Sequence, residues 1–340
     1  MFTVFLLTPA FSATAQDGLL GKSFSDSERG QFRYLWDSVH KSLIFVRDSE
    51  QAPSPTIRVY HDTDTPTSTV PLNDFPGAVG VDFWGLSGSP QGGVITAATL
   101  AYGNKKLKDL LLTYDQKGKL TKVWDTFPYH LHNLAVDVQS NVYGFGDRSD
   151  KSDDDADGDY ALIVAYSPQG KVLWESLPRS SFPWGNDMMS GARNNSENQL
   201  MVSDRGLFLF VASTEELFHF DLSGKQLGRF PLKNLLAQVV GNSPVAAHVG
   251  SLAPTASGSV IGQTLVWPKV LPKVLPKDGK GIVNTQMVEV ESDFVNWRPL
   301  AVSVPGIALG GFLGLGTNGQ LVFFAQDAGG RTTLATTYVP

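Results

Sequence analysis

Two histidines near the middle of the chain, and a third further along, are the side chains best suited to chemistry. His130 and His132 lie in FPYHLHN (127–133), and His248 ends SPVAAH (243–248). Neutral imidazole nitrogens are good zinc ligands, but a catalytic zinc site uses three protein ligands. No further histidine stands at an equivalent place before a strand. Two alternatives therefore stay open: a zinc centre, or histidines that line a polar surface and bond to backbone or ligand.

A second stretch, FPWGNDMMSGARNN (182–195), mixes aromatic and polar residues in the manner of a ligand-binding loop. Such side chains around a concave surface suit a sugar or a peptide, and packing of the tryptophan into the core is the rival interpretation. One face is expected to bring together the following ligand-binding residues: His130, His132, Trp184, Asn186, Asp187, Arg193 and His248.

An acidic run within SDDDADGD (152–159) matches the D-x-D-x-D-G opening of a calcium loop. Asp153, Asp155 and Asp157 would supply carboxylate oxygens, and Gly158 would permit the sharp turn. The twelfth position of the loop is Val164, where an EF-hand needs a bidentate glutamate. The run therefore predicts either a calcium site with fewer protein ligands or a solvated acidic loop.

Composition excludes several classes of function. The net charge of -6 gives no general attraction to nucleic acid. The absence of cysteine removes disulfides and thiolate-bound metals. No G-x-S-x-G motif occurs, and no helix pattern follows GGFLGLG (310–316), so that stretch is not a dinucleotide loop. The partner is expected to be a small molecule, a glycan or a protein, and the chain is expected to be a monomer.

The N-terminus has the pattern of a secretory signal peptide. An apolar run, FTVFLLTPAF (2–11), is followed by Ala13-Thr14-Ala15, an A-x-A cleavage site directly before Gln16. A basic n-region is missing, and a buried strand is the alternative interpretation. We therefore predict a signal peptide over 1–15, one domain over 16–340, and a secreted or periplasmic location. No membrane span is expected after cleavage, because no other apolar run reaches ~18 residues.

One phrase recurs and indicates the architecture. It reads LLLTYDQKGKLTKVWD (110–125), LIVAYSPQGKVLWES (162–176) and LFHFDLSGKQLGRF (217–230). In each copy an apolar strand leads into a Gly-Lys turn, and a second, alternating strand follows. The turn glycine supplies the positive φ that a tight hairpin needs, and the three copies place it at Gly118, Gly170 and Gly224.

Another pair of strand patterns precedes each of these hairpins, so the repeating unit is four antiparallel strands over roughly 50 residues. Four-stranded units packed radially form a β-propeller. We therefore predict an all-β propeller of six four-stranded blades, with five or seven as alternatives. The last unit lacks a fourth strand, which residues 19–32 are expected to supply. The segment NLLAQVVG (234–241) predicts one or two helical turns and no longer helix.

Two stretches resemble known propeller blades. LAVDVQSNVYGFGDR (134–148) resembles the inner hairpin of NHL-type six-bladed propellers, and YSPQGKVLWES (166–176) resembles the outer hairpin of quinoprotein-type blades. The resemblance implies a ligand site where loops gather around a central channel. In NHL-like lyases, histidines from different blades hold zinc there. Two functions follow: an exported, non-catalytic binding protein, or a metal-assisted lyase or hydrolase that uses the channel histidines.

Overall fold

Apolar runs, divided by tight turns, fold into strands over most of the described chain. A computed structural model of the chain describes residues 32–37, 42–47, 56–60, 75–115, 117–150, 159–182, 198–240, 245–268, 284–303, 308–316, 319–326 and 332–338. Within these residues the strands form six antiparallel sheets, each a meander in chain order.

The first half of the chain forms three of these sheets. Sheet 1 contains β1 (Phe32–Asp37), β2 (Ser42–Arg47) and β3 (Thr56–Tyr60). Sheet 2 contains β4 (Ala78–Gly88), β5 (Val94–Tyr102), β6 (Leu107–Tyr114) and β7 (Leu120–Asp125). Sheet 3 contains β8 (Tyr129–Val136), β9 (Val142–Arg148), β10 (Ala161–Tyr166) and β11 (Val172–Pro178).

The second half of the chain forms the other three. Sheet 4 contains β12 (Gln199–Ser203), β13 (Gly206–Val211), β14 (Glu216–Phe220) and β15 (Gln226–Pro231). Sheet 5 contains β16 (Val245–Pro254), β17 (Val260–Pro268), β18 (Asn284–Val290) and β19 (Trp297–Leu300). Sheet 6 contains β20 (Ala308–Leu315), β21 (Leu321–Gln326) and β22 (Thr332–Thr337).

The predicted all-β class is therefore confirmed, with four-stranded antiparallel sheets as the recurring unit. The two three-stranded sheets are the first and the last along the chain. The predicted signal peptide (1–15) lies outside the described residues. So does the strand expected to complete the last sheet, apart from Phe32, which begins β1 instead.

One helix is longer than the sequence predicted. α1 (Leu232–Val240) has nine residues, and Leu232, Leu235 and Leu236 lie buried on one of its faces. This face packs into the apolar core shared by sheets 4 and 5. Burial of three leucines at helical spacing explains the extra length. None of the helices in the described residues is long and apolar enough to cross a membrane.

The first strands of the six sheets contact one another in a cyclic order. β4 contacts β8, β8 contacts β12, β12 contacts β16, and β16 contacts β20. β1 contacts both β4 and β20, so sheet 1 lies between sheet 2 and sheet 6. The indole Nε1 of Trp36 in β1 donates a hydrogen bond to the carbonyl of Leu315 in β20, at 3.2 Å. Sheets 1 and 6, the first and the last along the chain, are therefore neighbours.

Four of the five apolar cores in the described residues lie between neighbouring sheets, and the fifth consists of sheet 2 residues together with Phe75. Ile95 and Leu111 of sheet 2 share a core with Leu134 and Val164 of sheet 3. Sheets 3 and 4, sheets 4 and 5, and sheets 5 and 6 share further cores in the same way. Each of these sheets is thus stabilised by the face of the next.

The repeated Gly-Lys turns have the backbone that the sequence predicted. Gly118, Gly170 and Gly224 adopt φ values of 75°, 77° and 88°. The amide of each glycine donates to the carbonyl that opens its turn, at Asp115, Ser167 and Asp221 respectively. The prediction of positive φ at these glycines is confirmed.

These turn glycines have a second role that the repeat alone did not indicate. The ring of Trp124 in β7 lies over Gly170, and the ring of Trp174 in β11 lies over Gly224. A Cβ atom at Gly224 would lie 2.6 Å from Cε3 of Trp174. The Nε1 of Trp174 also donates to the carbonyl of Leu222 at 2.9 Å. A tryptophan ring thereby fills the gap between the last strand of one sheet and the outer turn of the next sheet, a contact that we call a seam.

The two roles of the turn glycine can be separated by substitution. Gly319 has a similar φ of 75°, but a Cβ atom there would meet no other atom within 4 Å, so Gly319→Ala introduces only left-handed strain. We expect Gly319→Ala to lower the free energy of unfolding by about 1–2 kcal/mol. Gly224→Ala should cost roughly 1–3 kcal/mol more, because it also collides with Trp174. Denaturant unfolding of both variants measures the difference. Equal losses of unfolding free energy would contradict the close packing of Trp174 against Gly224.

Candidate functional site

Two β-bulges position the aromatic side chains of the candidate site. In β8 the pairing with β9 shifts between Leu131 and Asn133, which leaves His132 as the extra residue. In β4 the pairing with β5 shifts between Phe83 and Leu86, where Trp84 and Gly85 lie. A bulge re-aims a side chain and increases local twist. Both of these bulges lie where the first strands of sheets 2 and 3 touch.

Glycine permits this close contact between the two strands. A Cβ atom at Gly85 would lie 2.8 Å from Cγ of Leu134 and 3.3 Å from the carbonyl oxygen of His132. The hydroxyl of Thr96 donates to the carbonyl of Gly85 at 2.7 Å and so holds the bulge of β4 in place. Trp84 is thereby brought against β8.

Three aromatic rings meet at this contact. The imidazoles of His130 and His132 are stacked, with ring centroids 4.6 Å apart and an interplanar angle of 18°. The indole of Trp84 approaches both of them edge to face, with centroids 4.9 Å from His130 and 5.6 Å from His132. The alternation of β8 is broken by the bulge, yet both histidines lie on the side that meets sheet 2.

Carboxylates and a hydroxyl hold these rings in place. The Nε1 of Trp84 donates to Oγ1 of Thr99 at 2.8 Å, and that hydroxyl donates to Oδ1 of Asp109 at 2.7 Å. The same carboxylate oxygen lies 3.7 Å from Nδ1 of His130. Oδ1 of Asp147 lies 3.2 Å from Nε2 of His132. We call the following residues the histidine cluster: Trp84, Thr99, Asp109, His130, His132 and Asp147.

One buried nitrogen of the cluster makes no hydrogen bond. Nε2 of His130 is buried and makes no hydrogen bond to any described residue. Burial lowers the pKa of His130 below its usual value of 6.5, and the neighbouring His132 lowers that pKa further, against the opposing effect of Asp109 and Asp147. His130 is therefore neutral at pH 7. A neutral ring can donate or accept through Nε2, according to its tautomer.

The other predicted site residues are distributed as follows. His248 lies in β16, where it is exposed, and the ring contacts of His130 and His132 are with each other and with Trp84. The remaining residues lie outside the described ones: Trp184, Asn186, Asp187 and Arg193 of the ligand loop, and Asp153, Asp155 and Asp157 of the acidic run. Among described residues no group of three or more His, Asp or Glu side chains is placed to hold a metal. Zinc and calcium stay predictions.

Sequence reasoning found the two histidines but missed their partners. Trp84 stands at the end of a predicted strand, GAVGVDFW, and Asp147 at the end of the hairpin that begins after the histidines. His130 and Asp147 are directly opposite in the β8–β9 pairing. Hairpin pairing was the signal that could have indicated Asp147. Nothing local marks Thr99 or Asp109, because they reach the cluster from the neighbouring sheet.

Comparison with known proteins adds little at this level of similarity. Neither protein-family models nor curated protein sequences match the chain. A member of the DUF4221 family from Bacteroides vulgatus is 10% identical, with a TM-score of 0.41 over 90% of this chain and 92% of that one. A gluconolactonase from Xanthomonas campestris is 13% identical, with a TM-score of 0.38 over 98% and 89%.

The β-propeller domain of the Trilobed protease from Pyrococcus furiosus is 11% identical, with a TM-score of 0.41 over 89% of this chain and 80% of that one. Identities and scores this low carry no argument about the activity of this chain. The site is therefore interpreted from its own geometry.

The burial of His130 predicts a specific pH dependence of stability. The unfolded chain takes up a proton at this residue near pH 6.5, whereas the native chain takes it up at lower pH. The contribution of His130 to stability is therefore complete above pH 6.5 and is lost as pH falls below that value. Replacing it with asparagine should reduce this loss.

The measurement is denaturant unfolding of the wild type and His130→Asn from about pH 8 to about pH 5. The difference in unfolding free energy between the two proteins at pH 8 serves as the reference, because histidine titration contributes nothing there. If the two stability curves stay parallel down to pH 5, His130 is not a buried neutral imidazole and the assignment is wrong.

Proposed function

We propose that this chain is an exported β-propeller of six blades that binds a ligand at the face bearing the histidine cluster. The proposal of six blades is supported by six sheets in the described residues and by the cyclic order of their first strands. Radial packing of such sheets leaves a central channel, and loops around a channel are usual binding places. Residues 19–31 would add the fourth strand of the last blade.

A single observation carries the proposal of binding: the buried, unbonded Nε2 of His130 lies beside Trp84 and His132. Buried polar atoms in native proteins are nearly always hydrogen-bonded, so this nitrogen calls for a partner. The aromatic rings offer apolar faces and Nε2 of His130 offers a hydrogen-bonding atom, while Asp109 and Asp147 orient the rings. This combination suits a hydroxylated or amide-bearing ligand, which favours a glycan or a peptide segment of a protein, with another small molecule as the third class.

The non-catalytic function is preferred because the contacts of the cluster are directed inward. Asp109 is engaged by Thr99, and Asp147 faces His132, so each carboxylate serves to orient a ring. A metal-assisted lyase or hydrolase with His130, His132 and His248 is the alternative. Measurement of zinc in the purified protein before and after chelation distinguishes the two, since stoichiometric zinc would favour the enzyme.

The binding proposal predicts that the cluster, and not histidines elsewhere, determines affinity. A glycan and peptide library screened against the mature protein should yield a ligand whose Kd is then measured by calorimetry. We expect His132→Ala to weaken binding by at least about tenfold, because it removes both a ring face and a hydrogen-bonding group. His219→Asn, which changes a histidine of β14 in sheet 4, should bind as the wild type does.

Two outcomes would contradict this prediction. One is a ligand whose Kd is the same for His132→Ala and His219→Asn. The other is the absence of any ligand that raises the melting temperature of the wild type, together with a large loss of stability in His132→Ala. In that case the cluster would be a purely structural contact between sheets 2 and 3.

Export makes a separate prediction about the N-terminus. If the A-x-A site before Gln16 is cleaved, the mature chain begins at Gln16. Intact-mass measurement and N-terminal sequencing of protein produced with its own N-terminus test this. Replacing Ala13 and Ala15 with lysine should retain the longer chain, because signal peptidase requires small residues there. Recovery of Met1 in the unaltered mature protein would contradict export by this route.

A further inference from the structure

Exposed apolar side chains are concentrated at one edge of sheet 2. Val79, Leu107 and Phe127 are 67%, 65% and 68% exposed, and among the large apolar residues of the described chain only Val295 is more exposed. Val79 lies at the start of β4, Leu107 at the start of β6, and Phe127 two residues after the end of β7. In an antiparallel meander these three positions share one edge of the sheet.

Strand pairing places the three side chains near one another. Leu107 pairs with Ala101 of β5, and Val79 is the extra residue of a bulge on the opposite side of Ala101. Adjacent strands lie ~4.8 Å apart, so the Cα atoms of Val79 and Leu107 are separated by roughly 10 Å. Phe127 lies beyond the other side of Leu107, because the residue before it donates its amide to the carbonyl of Asp109 in β6.

A projecting basic turn lies among these apolar residues. The β5–β6 turn is exposed throughout residues 103–108 and contains Lys105, Lys106 and Lys108 without an acidic residue. A carboxylate oxygen of Asp125 lies 3.3 Å from Nζ of Lys108 and compensates that charge. No ion pair in the described part of the chain involves Lys105 or Lys106. We call the surface formed by Val79, residues 103–108 and Phe127 the basic edge.

The backbone of this turn is strained at one of its lysines. Lys105 adopts φ 63°, in the left-handed region. Its amide donates to the carbonyl of Tyr102, which is the hydrogen bond that Gly118 makes to Asp115 in the outer turn of the same sheet. Glycine adopts this conformation without strain, whereas a lysine there is uncommon. Such strain is concentrated at functional sites, so the lysine is a second, independent indication of function.

The corresponding turn of sheet 4 is covered, so exposure is not a general property of these turns. Glu215 adopts φ 53° there, and its amide donates to the carbonyl of Ala212. The amide of Leu232, the first residue of α1, donates to the carbonyl of Glu215 at 2.8 Å. In sheet 2 only residues 126–128 connect β7 to β8, and no helix lies over the turn within the described chain.

We infer that the basic edge docks on the surface of a membrane that carries anionic headgroups. Lys105 and Lys106 would be attracted by the negative surface potential of the lipid. Val79, Leu107 and Phe127 would enter the boundary between the headgroups and the acyl chains, as the apolar residues of interfacial segments do. The inference does not depend on the function proposed for the histidine cluster.

A lipid surface fits the basic edge better than a protein does. Its apolar side chains project from strand ends and a turn, and a deformable bilayer accepts such tips without a complementary shape. A second copy of the chain is disfavoured, because a two-fold contact would set Lys105 and Lys106 against the same lysines of the partner. The net charge of -6 opposes docking little, since screening at physiological salt limits each exposed charge to about 8 Å.

Vesicle sedimentation tests the inference. The mature protein is mixed with vesicles of phosphatidylglycerol and phosphatidylcholine in equal parts, or of phosphatidylcholine alone. We expect half-maximal binding to the anionic vesicles at about 0.1–1 mM lipid, comparable to the affinity of a single acyl anchor. Binding to phosphatidylcholine alone should be at least about tenfold weaker, because it lacks the negative surface potential.

Two variants separate the contributions of charge and of apolar insertion. Lys105→Gly removes one charge and relieves the left-handed strain, so it should bind about fivefold more weakly while its melting temperature is retained or raised. Leu107→Ser, at an exposed strand end, should also bind at least about fivefold more weakly. The matched controls are Lys171→Gln and Val138→Ser, at exposed residues in turns of sheet 3, and both should bind as the wild type does.

Several results would overturn the inference. One is the absence of binding to anionic vesicles up to about 10 mM lipid. Another is equal binding by the wild type, Lys105→Gly and Leu107→Ser. If Lys105→Gly weakens binding and Leu107→Ser does not, the contact is purely electrostatic, as with an acidic protein, and insertion into a membrane is wrong. Equal binding to both kinds of vesicle would overturn the role of the lysines.

Discussion

Strands that are buried on both faces determine how the sheets of this chain assemble. β13 is buried along its entire length, and β5 and β10 are buried at all but their ends, instead of alternating between buried and exposed. An antiparallel sheet with one face in water would show that alternation. Sheets 2, 3 and 4 must therefore each lie between two others. The cyclic order of first strands provides two neighbours even for the first and last sheets.

The position of the candidate site follows from this stacking. First strands can approach closely only where side chains are small or re-aimed, and Gly85 together with the bulges of β4 and β8 meets that requirement. The same approach places polar groups between two sheets, where an unbonded polar atom is costly. Thr99 and Asp109 form a bonded chain from Trp84 towards His130. Nε2 of His130 is the buried nitrogen of the cluster that still lacks a hydrogen bond.

The sequence predicted what is local and periodic, and it failed where pairing shifts. The turn glycines and the four-strand unit were predictable because each copy of the phrase carries the same turn residues. The partner of His130 was not. Counting back from the pair Val136↔Val142 without a bulge places His130 opposite Arg148, whereas the bulge at His132 places it opposite Asp147. A one-residue shift reverses the face of every later side chain, and no residue type announces it.

A repeated architecture makes departures from the repeat interpretable. A glycine turn beneath a tryptophan closes a seam without backbone strain, as Gly224 and Trp174 show. The chain could have closed the seam between sheets 4 and 5 in the same way. It instead holds Phe294 in a strained conformation over Gly228 and leaves a cavity beside it. Both features reduce stability, by strain and by lost contacts. Stability alone therefore does not account for this seam.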